Sequence, residues 1–284
     1  MDEEILIGLT SVLALGISAQ WLAWRTKLPA ILVLLAVGII AGPVTGLLDP
    51  DHLMGDLLSP FVSISVAIIL FEGGLSLRMS EFKKIGGVVV KLITFGIVIT
   101  WALAAIASFY LLDLGLEISV LFGAILIVTG PTVIIPLLRQ VRPTETAGSV
   151  LKWEGIVNDP IGAMMSVLVF EIIIAGGFGS ISGKAGMVII TTIIYGTFFG
   201  GLGAGVLYSM MKKHWIPDYL QNPVSLMIVV AMFTASNLLQ HESGLLAVTV
   251  MGILLANQKD VRVKHIIEFK ENLQALLISA LFIL

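Results

Sequence analysis

The chain has 284 residues, 57% of them apolar and only 12% charged, with a mean hydropathy of +1.04. An ordinary soluble domain carries roughly a quarter charged residues, so this composition predicts a polytopic membrane protein. The absence of Cys excludes disulfides, thiolate metal sites and cysteine nucleophiles, and the net charge of -3 says little because charge is segregated by loop.

Ten apolar segments approach the roughly 20 residues that a spanning helix needs. They run near 5–24, 28–47, 57–77, 85–112, 118–140, 149–175, 186–211, 220–240, 243–257 and 266–284. Met1 to Glu4 is acidic where a cleavable signal peptide needs a positive start, so none is expected. The loops alternate in charge. Arg25 and Lys27 follow the first span, Arg78, Lys83 and Lys84 the third, Arg139 and Arg142 the fifth, Lys212 and Lys213 the seventh, and Lys259, Arg262 and Lys264 the ninth. The intervening loops are acidic or neutral, as at Asp49 to Asp56, Asp113 to Glu117, the Gly/Ser turn at 176–182 and Glu242. The positive-inside rule then puts the amino terminus outside and the basic loops in the cytoplasm of a cell (inner or plasma) membrane protein.

A repeat is visible inside the chain. Pro29 to Ala41 reads against Ser243 to Leu255, placing Gly38 on Gly252, and at the same offset Ile64 to Leu70 falls on Ile278 to Leu284. Span two thus pairs with span nine and span three with span ten, an odd shift that reverses direction across the membrane. The expected fold is an all-α polytopic membrane protein with inverted-topology repeats and discontinuous helices, truncated in the second repeat. Residues 1–175 form the first repeat, 176–211 a linking span, and 212–284 the start of the second repeat. A complete second copy needs roughly 100 further residues, so a 13-span parent is expected.

Span five carries an interruption. At Thr129-Gly130-Pro131-Thr132, Pro131 lacks a backbone donor and Gly130 relaxes the chain, so the helix is expected to unwind between Thr129 and Thr132. Irregular backbone at membrane depth is tolerated where it is buried in protein or lines a wet cavity.

Span six carries the chemistry. An ionisable group at mid-membrane costs at least about 2.5 kcal/mol even on mild scales, which makes Asp159 a functional-site candidate. Pro160 follows it and is expected to distort the helix locally. Freed carbonyls, the Thr129 hydroxyl and the Asp159 carboxylate are hard oxygen donors suited to an alkali cation, and Asn158 supplies an amide that can satisfy broken backbone without adding charge.

Three motifs then carry a resemblance: Phe71-Glu72-Gly73-Gly74-Leu75, Thr129-Gly130-Pro131-Thr132 followed by Pro136-Leu-Leu-Arg139, and Glu154-Gly155-Ile156-Val157-Asn158-Asp159-Pro160. Together they resemble monovalent cation:proton antiporters of the NhaP and NHE kind, over all ten spans. The resemblance implies exchange of Na+, K+ or Li+ for H+, with Asp159 as the shared cation and proton site. It also implies that Thr129 and Glu72 reach the alkali cation, and that Glu154 serves a structural ion pair with an arginine that has no candidate before Leu284. Asn158 in place of a second Asp implies electroneutral exchange. Many relatives carry Asp where this chain has Gly130, which bears on selectivity. No cofactor beyond the transported ions is implied, nor a nucleic-acid partner; lipid, monovalent cations, protons and a second copy in a homodimer are the expected partners.

Plainer readings stand beside these. Glu72 lies less than two turns from Arg78 and could snorkel to the interface. Glu154 and Asn158, one turn apart, could form a purely structural seam. Glu171 lies near the outer end of its span, and His52, His214, His241 and His265 fall in loops or span ends as solvated side chains. Trp21, Trp24, Trp101, Trp153 and Trp215 are expected in an interfacial belt. Gly196, Gly200, Gly201 and Gly205 form two small-xxx-small pairs suited to close helix packing within the chain or across a dimer. The alternative functions are a Na+-coupled solute symporter of related fold and an intramembrane aspartyl hydrolase. The latter needs two carboxylates sharing a proton, and the chain has no second mid-membrane Asp.

Overall fold

The computed structural model describes residues 2–130, 133–134, 137–138, 141–174, 184–260 and 264–284, excepting the side chains of residues 2, 184–185 and 264–271. The helices are α1 (Asp2–Thr26), α2 (Ala30–Ile39), α3 (Pro50–Met54), α4 (Leu58–Leu75), α5 (Met79–Lys91), α6 (Ile97–Leu111), α7 (Leu116–Ile125), α8 (Glu145–Ile174), α9 (Lys184–Lys212), α10 (Gln221–Leu239), α11 (Ser243–Asn257) and α12 (Lys264–Ile283). A π turn over Ile40–Val44 prolongs α2, and another over Leu92–Gly96 joins α5 to α6 into one rod. Among the described residues, six helical rods are long and apolar enough to cross a membrane, and four shorter apolar helices accompany them. Each of the ten expected spans has its helical counterpart among these.

Local chemistry sets the ends. Asp49 accepts hydrogen bonds from the N–H groups of Asp51 and His52 at 3.1 and 3.3 Å, and Pro50 opens α3 where its missing N–H costs nothing. α1 and α9 close on non-glycine residues in the left-handed region, Lys27 at φ 58° and His214 at φ 53°. The next N–H reaches back in each case, Leu28 to Ala23 O at 3.1 Å and Trp215 to Met210 O at 3.0 Å, which closes the last turn.

The buried apolar side chains fall into two groups. α4, α9, α10 and α11 meet around Phe71, Leu207, Val229 and Met251, continuous with α1, α2 and α12 around Leu34, Ile69 and Ile283. A second bundle joins α5 to α8 around Val89, Trp153 and Ile156, and α6 and α7 to α8 around Ile97, Ala124 and Val169. The outer faces are apolar as well: Phe95 is 72% exposed and Leu103 62%. An apolar exterior around a packed interior is the arrangement that lipid, rather than water, stabilises.

Helix crossings use small residues selectively. A Cβ on Gly200 would lie 2.8 Å from Val250 Cβ, and one on Gly196 2.8 Å from Leu246 Cβ, so this pair seats α9 on α11. Gly201 and Gly205 meet nothing within 4 Å. Trp21, Trp24 and Trp215 are exposed, whereas Trp153 is buried and departs from the interfacial reading. Trp153 is 4% exposed and its ring stacks at a tilt on Phe82, centroids 4.7 Å apart, because α5 covers this face of α8. His52, His214 and His241 are exposed, as is Glu171; the Gly/Ser turn at 176–182 and the side chain of His265 lie outside the described residues.

Candidate functional site

The interruption in span five begins earlier than expected. α7 stops at Ile125, and two long i→i−3 bonds, Ile127 N to Ala124 O at 3.4 Å and Val128 N to Ile125 O at 3.3 Å, mark its last turn. Helical backbone resumes at Val133 and Ile134, whose N–H groups both bond Gly130 O at 3.1 and 3.2 Å. Leu126 to Gly130 therefore stands outside regular helix, three residues upstream of the expected start. The β-branched run Ile127-Val128-Thr129 has weak helix preference and no following turn to hold it. Pro131 and Thr132 lie outside the described residues.

α8 packs one face against this segment. Gly155, Asp159 and Gly162 share that face at spacings of four and three residues. A Cβ at Gly155 would stand 3.3 Å from Thr129 O and 3.0 Å from Ile134 Cγ1, and one at Gly162 2.6 Å from Val128 Cγ2. Glycine at both positions brings the helix and the irregular backbone together, with Asp159 between the two contacts. The helix itself runs unbroken through Pro160, which is buried. The expected local distortion does not interrupt the helix.

Asn158 ties the two elements. Its side chain is 2% exposed, and Nδ2 donates to Ile127 O at 2.7 Å, to Thr129 Oγ1 at 3.1 Å and to Glu154 Oε1 at 3.3 Å. Two hydrogens serve three acceptors, so the longer contacts share one. The Thr129 hydroxyl in turn donates to Glu154 Oε1 at 3.0 Å. Glu154 thus receives two neutral donors, and the seam of Glu154 and Asn158 is connected on α8 and to the break at once. Asn158 Oδ1 is buried and meets no hydrogen-bond donor among the described residues.

Asp159 is partly exposed, and no hydrogen bond or ion pair links it to another described residue. Glu72 is buried at 8% exposure in the last turns of α4. Its neighbour Gly73 reaches α8 at Ile156, where a Cβ would be in van der Waals contact at 3.4 Å, one turn before Asp159. Thr129, Glu154 and Asn158 are therefore in direct contact, while Glu72 approaches through the α4–α8 packing. Gly130 contributes its carbonyl to restarting the helix. Among the described residues no group of three or more His, Asp or Glu side chains that could hold a metal ion forms.

Three features had weak sequence signals. The Ile127 carbonyl is silent in sequence, whereas Gly155 and Gly162, seven residues apart around Asp159, could have been read as a close-packing face. Lys152, which bonds Ser76 O at 3.2 Å and Glu81 Oε2 at 2.9 Å, anchors α8 beside the α4–α5 connector.

Comparison with known proteins agrees with this architecture. The chain is 28% identical over 289 residues to "Na(+)/H(+) antiporter 1" of Methanocaldococcus jannaschii, covering 97% of this chain and 66% of that protein. It is 30% identical over 264 residues to "K(+)/H(+) antiporter NhaP2" of Shewanella sp. (strain MR-4), covering 92% and 44%. The solved structure of the sodium proton antiporter MjNhaP1 from Methanocaldococcus jannaschii at pH 8 superposes with a TM-score of 0.83 at 25% identity, over 99% of this chain and 70% of that one. The chain thus spans between about half and two thirds of the length of these curated relatives. The family described as "Sodium/hydrogen exchanger, transmembrane" matches residues 9–284, and with the broken fifth span packed on the Asn-Asp helix, the chain belongs to that family.

Proposed function

We propose that the protein exchanges a monovalent cation, Na+, K+ or Li+, for H+ across a cell membrane, with the two ions competing for Asp159 in an alternating-access cycle. The observation that carries this reading is the position of Asp159 on α8 between Gly155 and Gly162, the two glycines that let the helix close on the break at Leu126 to Gly130. A carboxylate there, with Thr129 and the Asn158 amide oxygen close by, offers an alkali cation replacements for its hydration shell. The same carboxylate can instead hold a proton. Glu72 is assigned to the rim of the cation site, and Glu154 to supporting the network. With one titrating carboxylate beside neutral Asn158, each half cycle carries one cation or one proton, so exchange is electroneutral. The amino terminus is placed outside, the first repeat at 1–175, the linking span at 176–211, and the functional unit is a homodimer.

The test uses the full-length protein in liposomes, with Na+, K+ and Li+ offered in turn against a pH dye. Asp159→Asn preserves size and removes the charge that binds either ion. Exchange should fall to background while the variant still inserts and retains its thermal transition. Robust exchange by Asp159→Asn would overturn the assignment, and cation uptake without proton movement in the wild type would point to a symporter.

A further inference from the structure

The two bundles are joined by one described connector, Ser76-Leu77-Arg78, between α4 and α5. Its approach is rigid. A Cβ at Gly74 would lie 2.6 Å from Thr249 O, and Gly252 faces the main-chain oxygen of Phe71, so the last turn of α4 runs backbone to backbone along α11. One turn further along α11, Asn257 takes hold of the connector itself. Its Oδ1 accepts from the Met79 N–H at 2.7 Å, and its Nδ2 donates to Leu77 O at 2.8 Å and to Ile253 O at 2.7 Å. Both amide hydrogens are used, and residues 178 and 180 positions apart are joined by one side chain.

The ring closed by Leu77 O, the Asn257 amide and Met79 N–H encloses Arg78, fixing it in an extended conformation at φ -99° and ψ 123°. From the other bundle, Lys152 bonds Ser76 O, and the fully buried Leu77 side chain packs with Trp153 and Ile156. The connector's main chain is thus held at Leu77 and Met79 by α11 and at Ser76 by α8, and the Leu77 side chain packs on α8. Hinges are a few loop residues that absorb a change in φ and ψ. With Leu77 O and Met79 N–H held by α11, and Arg78 O accepting from the Glu81 and Phe82 N–H groups at 2.9 and 3.2 Å, turning of α5 relative to α4 is confined to the Arg78–Met79 junction, where the first turn of α5 begins.

We propose that Asn257 is a positioning residue that makes the junction at Met79 the pivot between the α5–α8 bundle, which carries Asp159, and the bundle built on α4 and α11. This rests on the exchange function proposed above. No hydrogen bond joins Asn257 to Thr129, Glu154 or Asn158, so it sets the path of the moving bundle and leaves cation affinity alone. Losing it lets the connector flex at several bonds, and the conformational step slows.

The experiment compares full-length wild type with Asn257→Ala and Asn257→Asp, the latter keeping an acceptor for Met79 N–H but no donor for Leu77 O. Maximal exchange in liposomes should fall about tenfold in Asn257→Ala and less in Asn257→Asp, with the cation KM within about twofold of wild type. Amide hydrogen exchange of segment 76–82 should accelerate in the same order, with α11 upstream of residue 253 unchanged. Wild-type rates with a loosened segment, an unchanged segment, or a KM that rises with the rate loss would each overturn the proposal. If Asn257→Ala does not fold, the Asn257→Asp measurements decide. A wild type without exchange would remove the functional reading instead; amide exchange at 76–82 would then decide whether the Asn257 clamp exists.

Discussion

Asn158 donates to the main-chain oxygen of Ile127 at 2.7 Å, so the residue beside the candidate carboxylate takes up a carbonyl that the end of α7 leaves without a helical partner. The same amide reaches Thr129 and Glu154, so one side chain makes most of the hydrogen bonds between α8 and the break. Asn158→Ala should leave buried acceptors without donors, at a cost of about 1–3 kcal/mol. A lowered melting temperature in detergent and slowed exchange are expected together. Unaltered melting would show that the network does not hold the break.

Much of this arrangement is legible in the sequence because lipid leaves few alternatives. A mid-membrane Asp and a Gly-Pro pair in an apolar segment each need a compensating partner, so Asp159 and the break declare themselves. The exact residues that leave the helix do not, because Ile125 to Thr129 reads as continuous apolar helix until the α8 amide that captures Ile127 O is known. Trp153 shows the same limit: proximity to a span end suggested the interface, but the cover supplied by Phe82 comes from another helix. Asn257 is the extreme case, since its partners lie nearly two hundred residues away and a polar residue at a helix end has an ordinary capping explanation.

Glycine at Gly162 should be indispensable in a way that Gly201 is not. Alanine at Gly162 brings a methyl to 2.6 Å from Val128 Cγ2 and 3.3 Å from Val128 Cα, whereas at Gly201 it meets open space. Gly162→Ala should cost about 1–3 kcal/mol by overpacking. Gly201→Ala should be neutral or gain up to about 1 kcal/mol from helix propensity. Paired thermal melts in one detergent measure the contrast; equal effects would mean that α8 does not press on the break.

At the far end of α9, the Tyr208 hydroxyl donates to Asp260 Oδ2 at 2.6 Å and Lys212 Nζ donates to it at 2.7 Å. The Lys212 and Tyr208 hydrogen bonds hold the Asp260 carboxyl below its ordinary value. A depressed carboxylate contributes stability above its unfolded pKa and loses it as pH falls through the folded one. Wild type should therefore exceed Asp260→Asn in melting temperature at neutral pH by a small margin, given the exposure of the three groups. That margin should vanish on acidification below the ordinary Asp range. A margin independent of pH would place the effect elsewhere.

Voltage tests the single-carboxylate cycle. If Asp159 alone titrates, the carrier moves equal charge in both directions and a clamped potential should leave the exchange rate unchanged. Liposomes clamped with K+ and valinomycin, with Na+ as substrate, provide the measurement. Acceleration or slowing with voltage would require a second titrating group, and Glu72, buried in α4 beside the α8 contact, is the first to substitute.

Competition at Asp159 fixes how pH and cation concentration should interact. At low pH the carboxylate is protonated and the apparent cation KM rises; at high pH the cation binds but proton loading limits turnover, which gives a bell-shaped rate. Raising the cation concentration displaces protons by mass action, so the acidic limb should move to lower pH. The basic limb should not move in that direction, because there the proton is the scarce partner. Rates in liposomes across a pH series at three or more cation concentrations supply the test. An acidic limb that stays fixed would rule out simple competition at Asp159 and direct attention to a separate sensor, with exposed His214 at the end of α9 the first candidate for substitution.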